Sequence, residues 1–295
     1  MVKQAFLFLS HLSSKEVVNE FQNITRSTCK LGNAFFLYHF SGLPIPSEIE
    51  KLSPYLFSNE VLTSLNYNTI SNGIVPGNTH FPICKFFADN PDFDYYWVIE
   101  CDVRFSGNWQ VFFDACLKED ADFLTCHIRS YTEEPSWPWW ELCHERKSIP
   151  LCDRIRSFNP IYRISKSSLS FLHQELSSGW SGHSEVSLPT LLNYNGYKVK
   201  DIADIKMNDS ANNISKFYTS GGDSVCGSLK YGTMRYRPPF WLYGWQKNKL
   251  YHPVKPFKKA VKAYWIFLKE DPLMIKLFIR YYFVKGKIRG FFEKA

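Results

Sequence analysis

Residues 95–102 read Tyr-Tyr-Trp-Val-Ile-Glu-Cys-Asp. The first five are apolar or aromatic without interruption, which predicts a strand buried on both faces, as in a parallel sheet covered by helices. The run ends in two acids, Glu100 and Asp102. Residues two positions apart in an extended chain point to the same side, so both carboxylates should project from the carboxyl edge of the sheet. Open α/β sheets bind their ligands at that edge.

The segments on both sides of this strand alternate between strand and helix patterns. Short apolar runs predict strands at residues 4–10, 34–40, 121–128, 161–164 and 198–202. Helices are predicted at residues 14–29, 79–88, 109–117, 167–176 and 185–194, and loops at 137–140 and 205–240. This alternation predicts an α/β fold with a mixed, mainly parallel sheet flanked by helices. A Rossmann dehydrogenase is disfavoured, because no Gly-x-Gly-x-x-Gly follows the first strand.

The positive charge of the chain is concentrated near its C-terminus. Residues 255–295 contain 11 Lys or Arg and three Asp or Glu, whereas residues 1–254 contain 24 and 25. A protein body that binds nucleic acid should be basic across its working face, so no nucleic-acid partner is expected. We therefore divide the chain into a catalytic domain, residues 1–256, and a basic, aromatic helical tail, residues 257–295. Such a tail suits an anionic membrane interface, and packing on the body or on a second subunit is the alternative.

Cysteine usage and the lack of targeting signals predict a cytoplasmic protein. The eight cysteines form no C-x-x-C pair and no cluster at zinc spacing, as is typical of reduced thiols. The apolar run near the N-terminus is too short for a signal peptide, and no stretch has the length of a membrane-spanning helix. Together with the tail, this predicts a protein on the inner face of the cell membrane.

A second motif lies at residues 180–190, Trp-Ser-Gly-His-Ser-Glu-Val-Ser-Leu-Pro-Thr. Glu185 falls in the first turn of a predicted helix with Ser184 available as its cap. The helix dipole favours an ionised carboxylate there, which suits a general base that takes a proton from a sugar hydroxyl. The alternative is that Glu185 only complements the dipole.

A third motif, Lys-Leu-Tyr-His-Pro-Val-Lys, occupies residues 249–255. The imidazole of His252 is a good ligand for Mn²⁺, and Lys255 could neutralise phosphate charge. The carboxylates at residues 100 and 102 suit Mg²⁺ or Mn²⁺. A structural histidine before proline is the alternative for His252. Aromatic rings that could carry an acceptor sugar are Trp139, Trp140 and Trp180, and hydrophobic packing is the alternative for all three.

The order of these motifs resembles the GT-A superfamily of glycosyltransferases. The strand-ending Glu-x-Asp, the Gly-His-Ser-Glu-x-x-x-Pro-Thr of residues 182–190 and the Tyr-His-Pro-x-Lys of residues 251–255 carry the resemblance. Within the superfamily the chain is most similar to bacterial enzymes that build O-antigen, lipooligosaccharide or capsule, including galactofuranosyltransferases. The resemblance spans residues 4–256, and its specific motifs cover about thirty positions.

The resemblance implies an inverting, metal-dependent transfer of a sugar from a nucleotide donor, expected to be a UDP-sugar, to a glycan or lipid-linked glycan. Asp102 and His252 would bind the metal, Glu185 would be the base, and Glu100 would face the ribose or a metal-bound water. The superfamily motif is Asp-x-Asp, so the glutamate at position 100 departs from it. The remaining implied positions are Ser10, His11, Asn78, His80, Arg104 and Lys255 around the donor and His183 near the acceptor.

Two other functions are compatible with the same residues. A metal-dependent nucleotidyltransferase or phosphodiesterase also uses acids at a strand end, but it usually needs more carboxylates around two metals. A non-catalytic carbohydrate-binding protein would keep the aromatic residues and have no need of Glu185 or of the Asp102 and His252 pair.

Overall fold

The structure, a computed structural model, describes residues 2–205, 207–208, 214–220 and 232–270. Its centre is a seven-stranded sheet in the order β10-β6-β8-β4-β1-β2-β3. The strands of this sheet are β1 (Gln4–Ser10), β2 (Gly32–His39), β3 (Tyr55–Phe57), β4 (Tyr95–Glu100), β6 (Phe123–Ser130), β8 (Ile155–Ser165) and β10 (Val199–Asp201). Short two-residue strands β5, β7, β9, β11, β12 and β13 are Arg104–Phe105, Leu142–Cys143, Ser181–Gly182, Met207–Asn208, Ile214–Ser215 and Leu250–Tyr251.

The described helices cover both faces of the sheet. They are α1 (Lys15–Thr28), α2 (Ser47–Glu50), α3 (Val61–Ser64), α4 (Phe81–Asp89), α5 (Trp109–Cys116), α6 (Lys166–Ser177), α7 (Ser184–Tyr194) and α8 (Phe257–Glu270). Apolar residues of α1 and α5 pack on one face of the sheet, and those of α4, α6 and α7 pack on the other. The predicted mainly parallel α/β fold is confirmed, since β8 alone runs antiparallel to its neighbours in the sheet.

Strand β4 shows why the opening motif is so apolar. Tyr96 and Val98 belong to the core on one face, and Trp97 and Ile99 belong to the core on the other. All four side chains are buried, so a polar residue at any of these positions would lose its hydration. The strand pairs with β1 on one side and with β8 on the other.

Strand β8 is much longer than the predicted strand at residues 161–164. The strand begins at Ile155, and buried polar side chains occupy its first half, among them Arg156, Ser157 and Asn159. These polar residues interrupt the apolar pattern from which a strand is recognised. Arg163 is buried too, and its guanidinium donates to the backbone carbonyls of Cys116 and Glu119, at 2.8 and 2.6 Å.

The C-terminal part of the described chain crosses the carboxyl edge of the sheet. Strand β13 pairs antiparallel with β5, and β5 directly follows the turn at the end of β4. Helix α8 follows, and the predicted tail beyond residue 270 lies outside the described residues. Within the described ranges, no helix has both the length and the apolar character that crossing a membrane requires.

Candidate functional site

The turn after β4 is held in shape by a buried arginine. The Nη1 group of Arg104 donates to the carbonyl oxygens of Cys101 and Val103, at 2.8 and 2.7 Å. Its Nε lies 3.7 Å from a carboxylate oxygen of Glu20 in α1. The side chain predicted to lie near the donor therefore shapes the turn that presents Asp102.

Backbone pairing brings His252 to this turn from the far end of the chain. The amide of His252 donates to the carbonyl of Thr233 at 2.9 Å, and the amide of Val254 donates to the carbonyl of Asp102 at 2.8 Å. The register of β13 against β5 aligns Tyr251 with Arg104. His252 is thus fixed beside Asp102 by main-chain hydrogen bonds, although 150 residues separate the two in the sequence.

Glu100, Asp102 and His252 form a compact cluster. The His252 Nε2 atom lies 3.3 Å from Asp102 Oδ1 and 3.6 Å from Glu100 Oε2. One ligand atom from each of the three residues lies within 4.8 Å of the other two. Lys255 Nζ lies 3.8 Å from Asp102 Oδ2, on the outer side of the cluster.

The two carboxylates of the cluster favour the protonated, positively charged form of His252. Burial on its own would lower the pKa of His252, but the two carboxylates outweigh it and raise the pKa to about 10. Burial would raise the pKa of Asp102, but His252, Lys255 and Arg104 together lower it. Two acids and one imidazole therefore share a site that favours binding of a proton and would also favour binding of a metal cation.

The donor atoms fit a divalent cation. His252 Nδ1 lies 2.8 Å from the carbonyl oxygen of Arg235, and this contact requires a proton on Nδ1. Nε2 is then the ring nitrogen with a lone pair directed toward the carboxylates once the imidazole is neutral. A set of two carboxylate oxygens and one imidazole nitrogen is suited to Mn²⁺ or Mg²⁺.

Glu185 begins helix α7 on the same edge of the sheet. The ring of His183 caps the helix, because its Nδ1 accepts the Glu185 amide at 3.2 Å. The Glu185 side chain is about 20% exposed. Burial raises its pKa to about 7, the Glu100 charge adds to the rise, and Arg156 and His252 oppose it. The carboxyl therefore exchanges a proton near neutral pH.

Strand β8 connects Glu185 to the metal-binding cluster. The Phe158 ring packs edge-on against the His252 ring with centroids 5.2 Å apart. The next residue, Asn159, donates from its side-chain amide to the carbonyl of Ser184 at 3.4 Å, and its backbone lowers the pKa of Glu185. Successive residues of β8 therefore lie beside His252 and beside the start of α7, and the charge of His252 affects the pKa of Glu185.

The predicted acceptor residues do not share one environment. Trp139 is 42% exposed, and its ring stacks on His183 at 5.3 Å with an interplanar angle of 30°. Trp140 and Trp180 are 5% and 2% exposed. Trp140 packs beside Trp137 and Val186, and Trp180 lies in the core below α4 and α6. These two rings serve the hydrophobic packing that was the alternative, and they offer no face to a sugar.

The predicted donor residues also divide into two groups. His11 follows the end of β1 and is exposed on one side. Partial burial of its ring lowers its pKa, and the charge of Asp102 opposes that effect. The hydroxyl of Ser10 is used within its own loop, since it donates to the Leu12 carbonyl at 2.8 Å. His11 therefore adjoins the cluster, whereas Ser10 shapes the loop that carries it.

Asn78 and His80 are both buried, and they lie just before and at the start of α4. The amide of Asn78 holds the loop before α4 by donating to the carbonyls of Ser71 and Gly73, at 3.1 and 2.7 Å. Burial lowers the pKa of His80 to about 3, so its ring is neutral. Contact of these two side chains with a donor stays a prediction, and the hydrogen bonds of Asn78 give it a role in the loop as well.

One buried ion pair near the site was not anticipated. Arg156 donates to a carboxylate oxygen of Glu134 through both Nε and Nη2. The guanidinium also lies over the Trp137 ring, 5.6 Å from its centroid. Arg156 could not be recognised from the sequence as a buried residue, because it lies in the polar half of β8. Glu134 stands in a loop, where an acid is ordinarily exposed.

Comparisons with known proteins identify a partial family match. A family model described as a protein of unknown function, DUF3405, matches residues 39–118, a range that includes β4 and its two acids. No curated protein matches the chain.

Three solved structures are similar to this chain at low sequence identity. One is a glycosyltransferase involved in glycosylating the major capsid of PBCV-1, at 11% identity and a TM-score of 0.30, covering 59% of this chain and 65% of that chain. Another is a putative glucose-1-phosphate thymidylyltransferase from Bacillus anthracis, at 11% and 0.37, covering 68% and 87%. The third is a mycobacterial protein, at 10% and 0.41, covering 71% and 69%. Two of the three are transferases, and at these TM-scores none of them assigns a reaction to this chain.

Proposed function

We propose that this protein is an inverting, metal-dependent glycosyltransferase of the GT-A type that uses a nucleoside diphosphate sugar, with UDP as the expected nucleotide. The observation that carries the proposal is the cluster of Glu100, Asp102 and His252 at the carboxyl edge of the sheet, with Glu185 next to it. A metal site alone would suit many hydrolases. A neighbouring carboxyl that exchanges its proton near pH 7 adds a base for deprotonating an acceptor hydroxyl.

Asp102 and His252 would hold Mn²⁺ or Mg²⁺, with Glu100 beside them. When bound, the ion neutralises the two phosphates of the donor and so stabilises the departing nucleoside diphosphate. Lys255 contributes further positive charge on the outer side of the cluster, 3.8 Å from Asp102. His11, whose pKa responds to both Asp102 and Lys255, borders the same space and is proposed to lie near the nucleotide.

Glu185 is the proposed catalytic base. Its carboxylate takes the proton of the acceptor hydroxyl as that oxygen attacks the anomeric carbon. The bond from the anomeric carbon to the phosphate oxygen breaks, and its electron pair leaves with the nucleoside diphosphate. Attack from the face opposite the diphosphate inverts the configuration at that carbon. The exposed Trp139, stacked on His183 beside Glu185, is the proposed platform for the acceptor sugar.

The acceptor is proposed to be a glycan or a lipid-linked glycan in the synthesis of a bacterial surface polysaccharide. This part of the proposal is supported by the motif resemblance and by the basic, aromatic composition of residues 257–295. A lipid-linked acceptor would make attachment at the inner face of the membrane useful, because the enzyme and its substrate would then meet on one surface.

The test is an assay of the purified chain against a panel of nucleotide sugars, with Mn²⁺ or with EDTA. We expect at least one nucleoside diphosphate sugar to bind with Mn²⁺ and to release nucleoside diphosphate slowly by hydrolysis. Release of pyrophosphate from a nucleoside triphosphate and a sugar 1-phosphate would instead identify a nucleotidyltransferase. Binding of free glycans without any affinity for nucleotide sugars would identify a carbohydrate-binding protein.

A further inference from the structure

Four large apolar side chains are exposed within one segment of the chain, residues 236–257. Tyr236, Leu242, Tyr243 and Phe257 are 58%, 53%, 39% and 58% exposed. They account for three of the five exposed large aromatic residues in the described chain. Single exposed apolar residues are ordinary on a protein surface, but several within one short segment mark an interaction site. We refer to these four residues as the aromatic patch.

The fold holds the aromatic patch outward. Phe240 is buried, its amide donates to the carbonyl of Pro253 at 2.7 Å, and its carbonyl accepts the amide of Lys255 at 2.8 Å. The Phe240 ring also packs on the Arg235 guanidinium, 3.6 Å from the ring centroid. These contacts fix the middle of the loop, and Tyr236, Leu242 and Tyr243 on either side of it are exposed. The Trp241 ring contacts the Phe257 ring edge-on at 6.0 Å, which joins the loop to the first turn of α8.

The surroundings of the aromatic patch carry charge of one sign. Residues 232–263 contain eight Lys or Arg and no Asp or Glu. Lys258, Lys259 and Lys262 are exposed on α8, next to Phe257 in the chain. The Arg237 guanidinium lies 5.3 Å from the Tyr236 ring centroid. A partner of this surface must therefore be anionic and must also accept apolar side chains.

Four possible occupants of the surface meet that requirement to different degrees. Residues 271–295 carry six Lys or Arg against two acids, so this segment would be repelled by a cationic surface. A second copy docked through the same patch would meet its own positive charge. A nucleic acid would satisfy the lysines but would gain little from Leu242, whose side chain has no ring to stack on a base. An anionic lipid surface accepts both the cations and the aliphatic and aromatic side chains.

We propose that the aromatic patch and the lysines of α8 form a binding surface for anionic lipid membranes. The aromatic and leucine side chains would enter the interface, and Lys258 and Lys262 would pair with lipid phosphates. The same loop supports the metal-binding cluster, since Arg235 bonds to His252 through both its amide and its carbonyl. Docking would therefore place the cluster close to the membrane. This surface combines the loop of residues 236–243 with the first residues of the tail, 257–262, and all of these residues lie within the described ranges.

The test is co-sedimentation of the full chain with lipid vesicles. We expect binding to vesicles with about 30% phosphatidylglycerol to be at least roughly tenfold tighter than to neutral phosphatidylcholine, and to weaken as salt is added. The triple variant Y236S/L242S/F257S should bind the anionic vesicles about tenfold or more weakly. A matched variant, L43S/V111S/L151S, removes three other exposed apolar side chains and should bind like the natural chain.

A second variant tests the charge and leaves the aromatic residues unchanged. The double substitution K258Q/K262Q should weaken binding to anionic vesicles about 25-fold, at about fivefold per charge. Equal binding to neutral and anionic vesicles, or full binding by the Tyr236, Leu242 and Phe257 variant, would overturn the proposal. Tighter binding to RNA than to anionic vesicles, lost in K258Q/K262Q, would also overturn the proposal. None of these readouts depends on turnover, so the proposed reaction can fail while this inference stands, and the reverse also holds.

Discussion

Asp102 and Glu185 are carboxyl groups on the same edge of one sheet, and their environments move their pKa values in opposite directions. The pKa of Asp102 is lowered, whereas that of Glu185 is raised to about 7. Both side chains are about 20% exposed, so exposure does not distinguish them. Two acids whose surroundings move their pKa values in opposite directions are suited to different chemical roles.

The difference arises from the cations around each group. Asp102 lies beside His252 and Lys255, and Arg104 adds a third positive charge. Glu185 has Arg156 as its main cationic influence, and Arg156 is already paired with Glu134. An acid that stays ionised is suited to hold a metal, and an acid that exchanges its proton near neutrality is suited to be a base.

The largest expected effect comes from removing the ionised acid. Asp102→Ala should lower turnover by about 10⁴-fold, because metal stabilisation of the leaving diphosphate is worth several kcal/mol. Binding of the nucleotide donor should lose its dependence on Mn²⁺, as measured by calorimetry. Asp114→Asn, at an exposed acid on α5, serves as the control and should behave like the natural protein. Equal donor affinity with Mn²⁺ and with EDTA in the natural protein would show that no metal is used.

Removing the titrating acid should have a smaller and more selective effect. Glu185→Gln should lower turnover by about a hundredfold to a thousandfold, since it removes proton transfer. Donor affinity with Mn²⁺ should be unchanged, because Glu185 is outside the metal-binding cluster. This separation of turnover from donor binding distinguishes the two acids. If turnover is retained, Glu185 is not the base.

The pKa of Glu185 also predicts a dependence of stability on pH. A carboxyl whose pKa is raised from 4.5 unfolded to about 7 folded destabilises the protein as pH rises through that range. Glu185→Gln should therefore be more stable than the natural protein at pH 8, by about 2–3 kcal/mol in the free energy of unfolding. The difference should vanish below pH 4.5, where the acid is protonated in both states. Urea unfolding at the two pH values measures it, and an equal difference at both would contradict the raised pKa.

The smallest expected effect concerns the exposed tryptophan beside Glu185. Trp139→Ala should weaken acceptor binding by about tenfold, in line with the loss of one aromatic contact. Its free energy of unfolding should fall by only about 1 kcal/mol, because the ring is 42% exposed and stacks on His183. Trp140→Ala, one residue away and buried, should instead lose about 3–5 kcal/mol of stability. Similar unfolding data for both variants would show that the two rings do not differ as described.

The predictable parts of the fold were those encoded by apolar patterns. The β4 run identified its strand correctly, and the two acids behind it lie at the sheet edge where a parallel strand must deliver them. The predicted meeting of Asp102 with His252 is also present in the structure. It was reached through the resemblance of the Tyr-His-Pro-x-Lys motif, since nothing local to His252 states which residue it will contact.

The remaining features depend on tertiary contacts that a linear pattern does not encode. Trp139 and Trp140 are adjacent in sequence, yet one is exposed and the other is buried against Trp137. Arginine usually lies at the protein surface, and the ion pair with Glu134 compensates the burial of the Arg156 charge in β8. Asn78 is expected at the donor, and its amide also closes a loop.

The central claim is that one divalent cation binds between Asp102 and His252. Anomalous diffraction from crystals grown with Mn²⁺ and a nucleoside diphosphate tests it most directly. We predict a single manganese peak within bonding distance, about 2.0–2.3 Å, of an Asp102 carboxylate oxygen and of His252 Nε2. The diphosphate should lie on the side of the ion that faces Lys255. A peak at another location, or a bound diphosphate with no manganese beside these two residues, would contradict the account.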